Sequence, residues 1–320
     1  MLADRDDPDL PANPRRPAME IAVHIPLSEA QKHRLSAGAP GTTFRYLARD
    51  EPSDAPVVFG NPTPAAVAAN PRLRWLQLGS VGFGEYLPLD WRRPQGTAVV
   101  TNLAGFFADP VAETALAGIL ALCRGIDRLG DLRRARRWVG DAIRAEITTL
   151  SGESVVLFGR GAINGRLADL LVPFGCAIAS FGRDWTAPAL DRALAQAGVV
   201  VATVPHTPLT ENLFDAARIA RMRPGAIFCN LGRGSLVEEA ALAAALESGR
   251  LGGALIDVTR DEPPAADHPF WTTPNTILTQ HSGGGTRDEV DRKIDWFLDN
   301  LRQFRQGGPL RGEISLDRGY

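Results

Sequence analysis

Three polar residues in this chain could together reduce a ketone. Arg233 stands in Asn230-Leu231-Gly232-Arg233-Gly234 and Glu262 in Asp257-Val258-Thr259-Arg260-Asp261-Glu262-Pro263. His281 stands in Thr279-Gln280-His281-Ser282-Gly283-Gly284-Gly285-Thr286. Each follows an apolar run of strand length: Ala226–Asn230, Ala254–Val258 and Thr276–Thr279. An arginine fork binds a carboxylate through two parallel hydrogen bonds. A histidine gives or takes the alcohol proton, and a neighbouring carboxylate favours its charged form. Taken singly, a loop Arg is usually solvated, a Glu-Pro pair is often a turn, and a His before glycines is more often structural. Their joint placement carries the reading. In a parallel sheet all three fall at the carboxyl edge, where ligands bind in open α/β folds. His206 in Pro205-His206-Thr207-Pro208 ends a strand on that edge and reads as cofactor-lining or structural. His268 in Asp267-His268-Pro269-Phe270-Trp271 reads as loop packing.

A hydride must also come from somewhere. The segment Val155 to Gly165 reads strand, glycine turn, helix start, with Gly159-Arg160-Gly161-Ala162-Ile163 at its centre. In a dinucleotide-binding unit the first Gly makes the turn and the second lets backbone approach a pyrophosphate. The helix N-terminus then stabilises the negative charge. A bare GxG is weak evidence, since such turns are common; the strand-turn-helix context is what raises it. Asn164 occupies the third glycine position of the motif, with Gly165 one residue later, and is expected to loosen the packing or shift the helix.

Cofactor preference should be written about twenty residues further on, at the end of the second strand, where an acidic residue binds the ribose 2′-hydroxyl of NAD. Here that strand, Ala177–Phe181, ends in Gly182-Arg183-Asp184. Gly182 leaves room and Arg183 offers a fork suited to phosphate, so NADP(H) is preferred and NAD(H) remains possible. Asp184 is the counter-evidence, able to pair with Arg183 or to face the ribose. Arg160 could add a second cation near the adenosine phosphates.

The elements that must position these residues alternate strand and helix. Strands are expected at Glu20–Ile25, Thr43–Leu47, Pro56–Phe59, Leu73–Leu78 and Thr97–Thr101, with a short helix at Pro64–Asn70. Asp109-Pro110 reads as an N-cap and first helical residue. The helix it opens, to about Arg124, is apolar nearly all round and could serve as hinge and packing element between domains. Residues 125–145 are Arg-rich and less regular. A second alternating series has strands at Ser154–Phe158, Ala177–Phe181 and Val199–Val204 besides the three above, and helices that include Arg166–Phe174 and Glu238–Ser248. A last helix, about Arg287–Gln306, carries one apolar stripe and is expected to cross back to the first unit. The fold class is therefore α/β, with two Rossmann-like parallel-sheet domains and an active-site cleft between them. Residues 19–102 plus 287–320 form the substrate domain, flavodoxin-like; residues 103–286 form the dinucleotide-binding domain. Residues 1–18, polar and rich in Pro, Asp and Arg, read as a flexible tail.

Composition agrees with a cytoplasmic enzyme. A net charge of −2 gives no reason to expect nucleic acid or an anionic membrane. No apolar run approaches the ~20 residues of a membrane span. Cys123, Cys176 and Cys229, an odd number in apolar surroundings, suit buried thiols in a reducing compartment. No metal is expected.

With these motifs in view, the chain resembles the D-isomer-specific 2-hydroxyacid dehydrogenase family, closest to its glyoxylate/hydroxypyruvate reductase branch. The resemblance runs from about Leu73 to Gly308. It is most specific in NLGRGSLV (230–237), DVTRDEP (257–263) and QHSGGGT (280–286). It implies that Arg233 anchors the substrate and polarises its carbonyl, that His281 is the acid/base, and that Glu262 is its partner. It implies a substrate carboxylate held by backbone around Val81 and Gly82, in a loop with an unusual Gly84-Glu85. Val204, Pro205, Thr210, Leu231, Gly232, Asp257 and Gly283 complete the expected cofactor lining. It also implies a homodimer formed partly through the Arg-rich segment, whose Trp138 approaches the partner or, alternatively, packs on its own subunit. The substrate class is a small 2-keto or 2-hydroxy acid. Two alternatives stay open: another small acid of phosphoglycerate or phosphonate type, for which residues 73–110 offer few cations beyond Arg92 and Arg93, and a non-catalytic cofactor-sensing role like that of corepressor relatives.

Overall fold

Runs such as Val57-Val58-Phe59 and Val199-Val200-Val201 are apolar on both faces, the pattern of strands buried within a parallel sheet. The computed structural model describes residues 19–315; the tail expected over residues 1–18 lies outside them. Residues 19–104 with 287–315 form one compact unit, and residues 105–286 form another.

The first unit contains β1 (Met19–His24), α1 (Glu29–Gly38), β2 (Thr42–Tyr46), β3 (Val57–Gly60), α2 (Pro64–Ala68), β4 (Trp75–Gln77), β5 (Arg92–Arg93), β6 (Gly96–Thr97) and β7 (Val99–Thr101). Five of these strands make a parallel sheet in the order β2-β1-β3-β4-β7. That is the flavodoxin-type order. The last helix, Glu289–Gln306, covers one face: Phe297 stacks on Phe59 at 4.4 Å and on Trp75 at 5.3 Å between ring centroids. Helix α1 was not expected. Its only buried side chain is Leu35, so it lacks an apolar stripe. It is instead opened by a capping box between Ser28 and Gln31 and tied to the last helix by Arg34–Asp295 and Gln31–Asp291. The expected strand Thr97–Thr101 is broken at Ala98, where β6 turns back on β5 as a small hairpin.

The second unit contains α3 (Ala108–Arg124), α4 (Ile126–Arg134), β8 (Ser154–Phe158), α5 (Ala162–Leu171), β9 (Ala177–Phe181), α6 (Ala187–Leu194), β10 (Val199–Ala202), α7 (Ala216–Arg221), β11 (Ile227–Asn230), α8 (Glu239–Glu247), β12 (Gly253–Ile256) and β13 (Thr276–Leu278). Its six strands are all parallel in the order β13-β12-β11-β10-β8-β9. The chain steps outward from β8 to β9, then returns to the other side of β8 with β10. The ends of β8 and β10 thus flank the point where strand order reverses, the place where such sheets open a ligand crevice. Helix α3 buries Val111, Ala112, Ala115, Ile119 and Cys123 in this unit's core. Gly118 lets it approach β12, because a methyl group there would meet Leu255 at 2.6 Å.

Two expectations need correction here. Asp109 is not the N-cap of α3, which is Phe107; it sits in the first turn, where its charge suits the helix dipole and its carboxylate takes Arg166 Nε at 2.7 Å. The Arg-rich stretch is more regular than its sequence suggests, because residues 126–134 form α4 and residues 140–145 a 3₁₀ turn.

Candidate active site

The loops after β11, β12 and β13 carry Arg233, Glu262 and His281. The glycine turn after β8 lies at the same sheet edge, since every strand runs the same way.

His281 is held firmly. Gln280 and His281 both adopt left-handed backbone, with φ of 56° and 55°. Such a conformation costs a non-glycine residue roughly 1–3 kcal/mol and persists where surroundings enforce it. Here the His281 backbone N–H donates to the Asp257 carbonyl at 2.6 Å. The buried Asp257 carboxylate accepts from Thr279 Oγ1 at 2.6 Å and from the Gly283 N–H at 3.0 Å, bracketing the histidine on both sides. The imidazole Nδ1 then meets Glu262 Oε2 at 2.7 Å. The other carboxylate oxygen, Oε1, accepts from the Thr259 N–H at 3.2 Å, which fixes its orientation. With Nδ1 given to the carboxylate, Nε2 is the atom left to serve a substrate oxygen.

Arg233 is placed by its neighbours. Buried Asn230 closes the turn, donating to the Arg233 carbonyl at 2.9 Å and accepting from the Gly232 N–H at 3.2 Å. A methyl group on Gly234 would lie 2.0 Å from the Thr259 carbonyl carbon, so only glycine lets the Arg233 turn press against the strand end that leads to Glu262. The Arg233 side chain is exposed, with Nη1 donating to the Gly232 carbonyl at 2.6 Å. The structure therefore brings Glu262 and His281 into contact and sets the Arg233 loop beside theirs.

The residues expected to line the nucleotide site leave room for a diphosphate. Gly159 has φ of 118°, and a side chain there would meet Thr203 Oγ1 at 2.9 Å and Val204 Cγ1 at 3.2 Å. Gly161 is the N-cap of α5 and offers no capping side chain, and a methyl group on it would meet nothing within 4 Å. Ala162 and Ile163 open the helix, whose first N–H groups form the anion cradle of such folds. Asn164 does not loosen the turn. It is buried, and its Nδ2 donates to the Gly159 carbonyl at 2.8 Å, tying the helix to the turn it follows. Thr210 is also buried and holds its own loop, accepting from the Thr207 N–H at 2.8 Å and donating to the Pro205 carbonyl at 2.9 Å. Leu231 is buried and Gly232 abuts the Val204 carbonyl, where a methyl group would come within 2.6 Å.

At the end of β9 the pairing differs from expectation. Asp184 is engaged not by Arg183 but by Arg160, whose Nη1 lies 2.9 and 3.0 Å from its two oxygens. The Asp184 backbone N–H and the Arg160 guanidinium hold its carboxyl below the ordinary range. His206 Nδ1 meets Ser235 Oγ at 2.8 Å and Glu211 at 3.2 Å, linking the loops after β10 and β11. His268 packs as a loop residue, against Glu239 and Phe270.

In the first unit, Val81 and Gly82 lie in a loop braced by its neighbours. Asn102 Nδ2 donates to the Val81 carbonyl at 2.9 Å and Ser80 Oγ to the Gly82 carbonyl at 3.1 Å. The unusual Glu85 pairs with Arg49. Arg92 is taken by Asp90, and Arg93 donates to the carbonyls of Asn70 and Val67.

Sequence reasoning passed over Asn230 and Thr259. Each orients a candidate site residue that follows the same strand, Asn230 the Arg233 turn and Thr259 the Glu262 carboxylate. An Asn at a strand end is a signal for this, because its side chain bonds backbone two residues on.

A model of the D-isomer specific 2-hydroxyacid dehydrogenase NAD-binding domain matches residues 116–283. A protein encoded in the mprR 3′ region of Streptomyces coelicolor is 33% identical over 282 residues, covering 83% of this chain and 97% of that one. The solved structure of a D-isomer specific 2-hydroxyacid dehydrogenase family protein from Aeromonas salmonicida subsp. salmonicida A449 is 28% identical. It covers 94% of this chain and 100% of that one, with a TM-score of 0.77. An NADPH-dependent glyoxylate/hydroxypyruvate reductase from Sinorhizobium meliloti, solved with NADP and sulfate, has the same fold at a TM-score of 0.78. It is 22% identical, with 94% and 99% of the two chains covered.

Proposed function

The chain belongs to the D-isomer-specific 2-hydroxyacid dehydrogenase family, and on that premise we propose that it reduces a small 2-keto acid of the glyoxylate or hydroxypyruvate type. It is an NAD(P)-dependent oxidoreductase of that family. The observation that carries the substrate reading is the Glu262–His281 pair at 2.7 Å on the sheet edge that also bears Arg233 and the glycine turn.

A nicotinamide nucleotide held at the glycine turn would supply or accept the hydride. Arg233 binds the substrate carboxylate and polarises the carbonyl, with the backbone at Val81 and Gly82 as a further carboxylate holder. His281 delivers the proton to the carbonyl oxygen from Nε2, and Glu262, bonded to Nδ1, keeps the ring in place. In the reverse direction the same imidazole takes the hydroxyl proton. Gly159, Gly161, Ala162 and Ile163, with the backbone of Arg160, would hold the diphosphate, and Val204, Pro205, Thr210, Leu231, Gly232, Asp257 and Gly283 would line the rest of the nucleotide site. NADP(H) is preferred, because Gly182 puts no acid at the end of β9 and Arg183 follows it.

A phosphorylated acid is the weaker reading, because residues 73–110 offer few cations beyond Arg92 and Arg93 and Arg93 donates to the backbone carbonyls of Asn70 and Val67. A panel of 2-keto acids assayed with NADPH and NADH tests the proposal. The expected result is turnover of glyoxylate or hydroxypyruvate with higher kcat/KM for NADPH. Nucleotide binding without turnover of any keto acid would favour the sensing role instead, and higher kcat/KM with NADH would refute the cofactor preference.

A further inference from the structure

The end of β9 holds an arrangement that the glycine motif does not require. Arg160 leaves the turn after β8 and lies across Gly182; a methyl group at Gly182 would meet its Cδ at 2.9 Å and its Cγ at 3.3 Å. One side of the guanidinium is anchored, with Nε and Nη2 donating to the Ser180 carbonyl at 3.3 and 3.0 Å. The remaining nitrogen, Nη1, is given to both oxygens of Asp184. Gly182 therefore does more than lack an acid: it is the space through which a cation from another loop reaches the end of the second strand. That strand end is where a Rossmann unit reads the adenosine ribose.

We infer that Arg160 and Asp184 form a cofactor selector, with Arg160 as the cation for a ribose 2′-phosphate and Asp184 as the internal anion that the phosphate must displace. This rests on the nucleotide-binding reading above and adds to it a cation besides Arg183 and a residue that opposes the preference. The guanidinium edge that holds Asp184 can serve one anion at a time. Both partners are solvent-exposed, with side-chain exposures of 55% and 71%, and an exposed ion pair is held weakly. A dianionic phosphate beside the anchored guanidinium displaces the single carboxylate. NADH has no phosphate to offer, so Arg160 stays with Asp184 when it binds. The selector thus acts on the ratio of the two affinities, and Asp184 keeps that ratio smaller than Arg160 alone would make it.

The test is direct binding to the full chain, followed by nicotinamide fluorescence with NADPH and NADH, read as the Kd ratio. Asp184→Asn, which keeps shape and loses charge, should raise the preference for NADPH about tenfold, and Arg160→Ala should lower it about tenfold. The double variant should match Arg160→Ala, because Asp184 acts only through Arg160. Arg160→Lys should fall between wild type and Arg160→Ala, since it keeps charge without the fork. The inference is overturned if Asp184→Asn leaves the ratio within about twofold or lowers it, or if Arg160→Ala leaves it unchanged while Arg183→Ala abolishes it. If the wild type binds neither nucleotide, the dinucleotide reading itself fails and the selector with it.

Discussion

At His281, geometry and chemistry converge on one atom. Two left-handed residues and a backbone bond to Asp257 fix the residue, and a carboxylate on Nδ1 leaves Nε2 for the proposed proton transfer. General acid catalysis contributes roughly 10²–10⁴-fold, so His281→Asn should lose at least about a hundredfold in kcat for reduction. An unchanged kcat would remove His281 from the mechanism. Arg233→Lys keeps the charge but loses the planar fork, so it should raise KM for the keto acid more than it lowers kcat, as steady-state kinetics would show. The placement of these residues at the strand ends was legible in the sequence, because each follows an apolar strand within a short, distinctive motif. The partners were not. Whether Asp184 pairs with Arg183 or Arg160 depends on how far a side chain reaches across Gly182, and residue order alone holds no such distance. Asn164 misled for a similar reason: its amide replaces a glycine's close packing with a bond to the Gly159 carbonyl.

Among the elements, the strands were the most legible, because runs such as Val199-Val200-Val201 must be buried on both faces. Helix α1 was hidden because polar contacts with another helix, not an apolar stripe, hold much of its surface. Its capping box was the available signal. The last helix owes its seat to a buried polar network as well as to Phe297. Asn300 Nδ2 donates to Gln77 Oε1 at 2.8 Å and to the Arg311 carbonyl at 2.9 Å, and its Oδ1 accepts from the Arg311 N–H at 2.8 Å. Gln77 also accepts from Thr101, which accepts from Trp75 Nε1. Asn300, Gln77 and Thr101 are all fully buried. Asn300→Ala strands several of these groups, and at 1–3 kcal/mol for each unsatisfied group the loss should be about 3 kcal/mol. Urea denaturation would measure it, and a loss under about 1 kcal/mol would contradict the network's role.

For the whole molecule, two properties follow from what is buried and what is not. Burial holds the His24 imidazole below its ordinary value, outweighing its bond to the Ala48 carbonyl, which acts the other way. The folded chain then binds that proton less readily than the unfolded one. His24 contributes its full stability above about pH 6.5 and loses it as pH falls toward the lowered folded value. The melting temperature should drop from pH 7 to pH 5, and His24→Asn should flatten that slope; an equal slope in both would refute the assignment. At the other extreme, Trp138 is 95% exposed, which removes the alternative that it packs on its own subunit. It lies between α4 and the 3₁₀ turn, in a segment that also exposes Ile126 and Leu129. Exposed apolar side chains on an Arg-rich arm fit the proposed homodimer. Light scattering at micromolar concentration should give twice the chain mass; a monomer would rule the dimer out.

The central claim is that this chain moves a hydride to C2 of a small keto acid. The most direct measurement supplies NADPH deuterated at the transferable position, with glyoxylate or hydroxypyruvate, and examines the product by mass spectrometry. The predicted result is a 2-hydroxy acid carrying one deuterium at C2, formed by the wild type and nearly lost in His281→Asn. Nucleotide that binds but stays unoxidised, with no deuterated hydroxy acid, would contradict it.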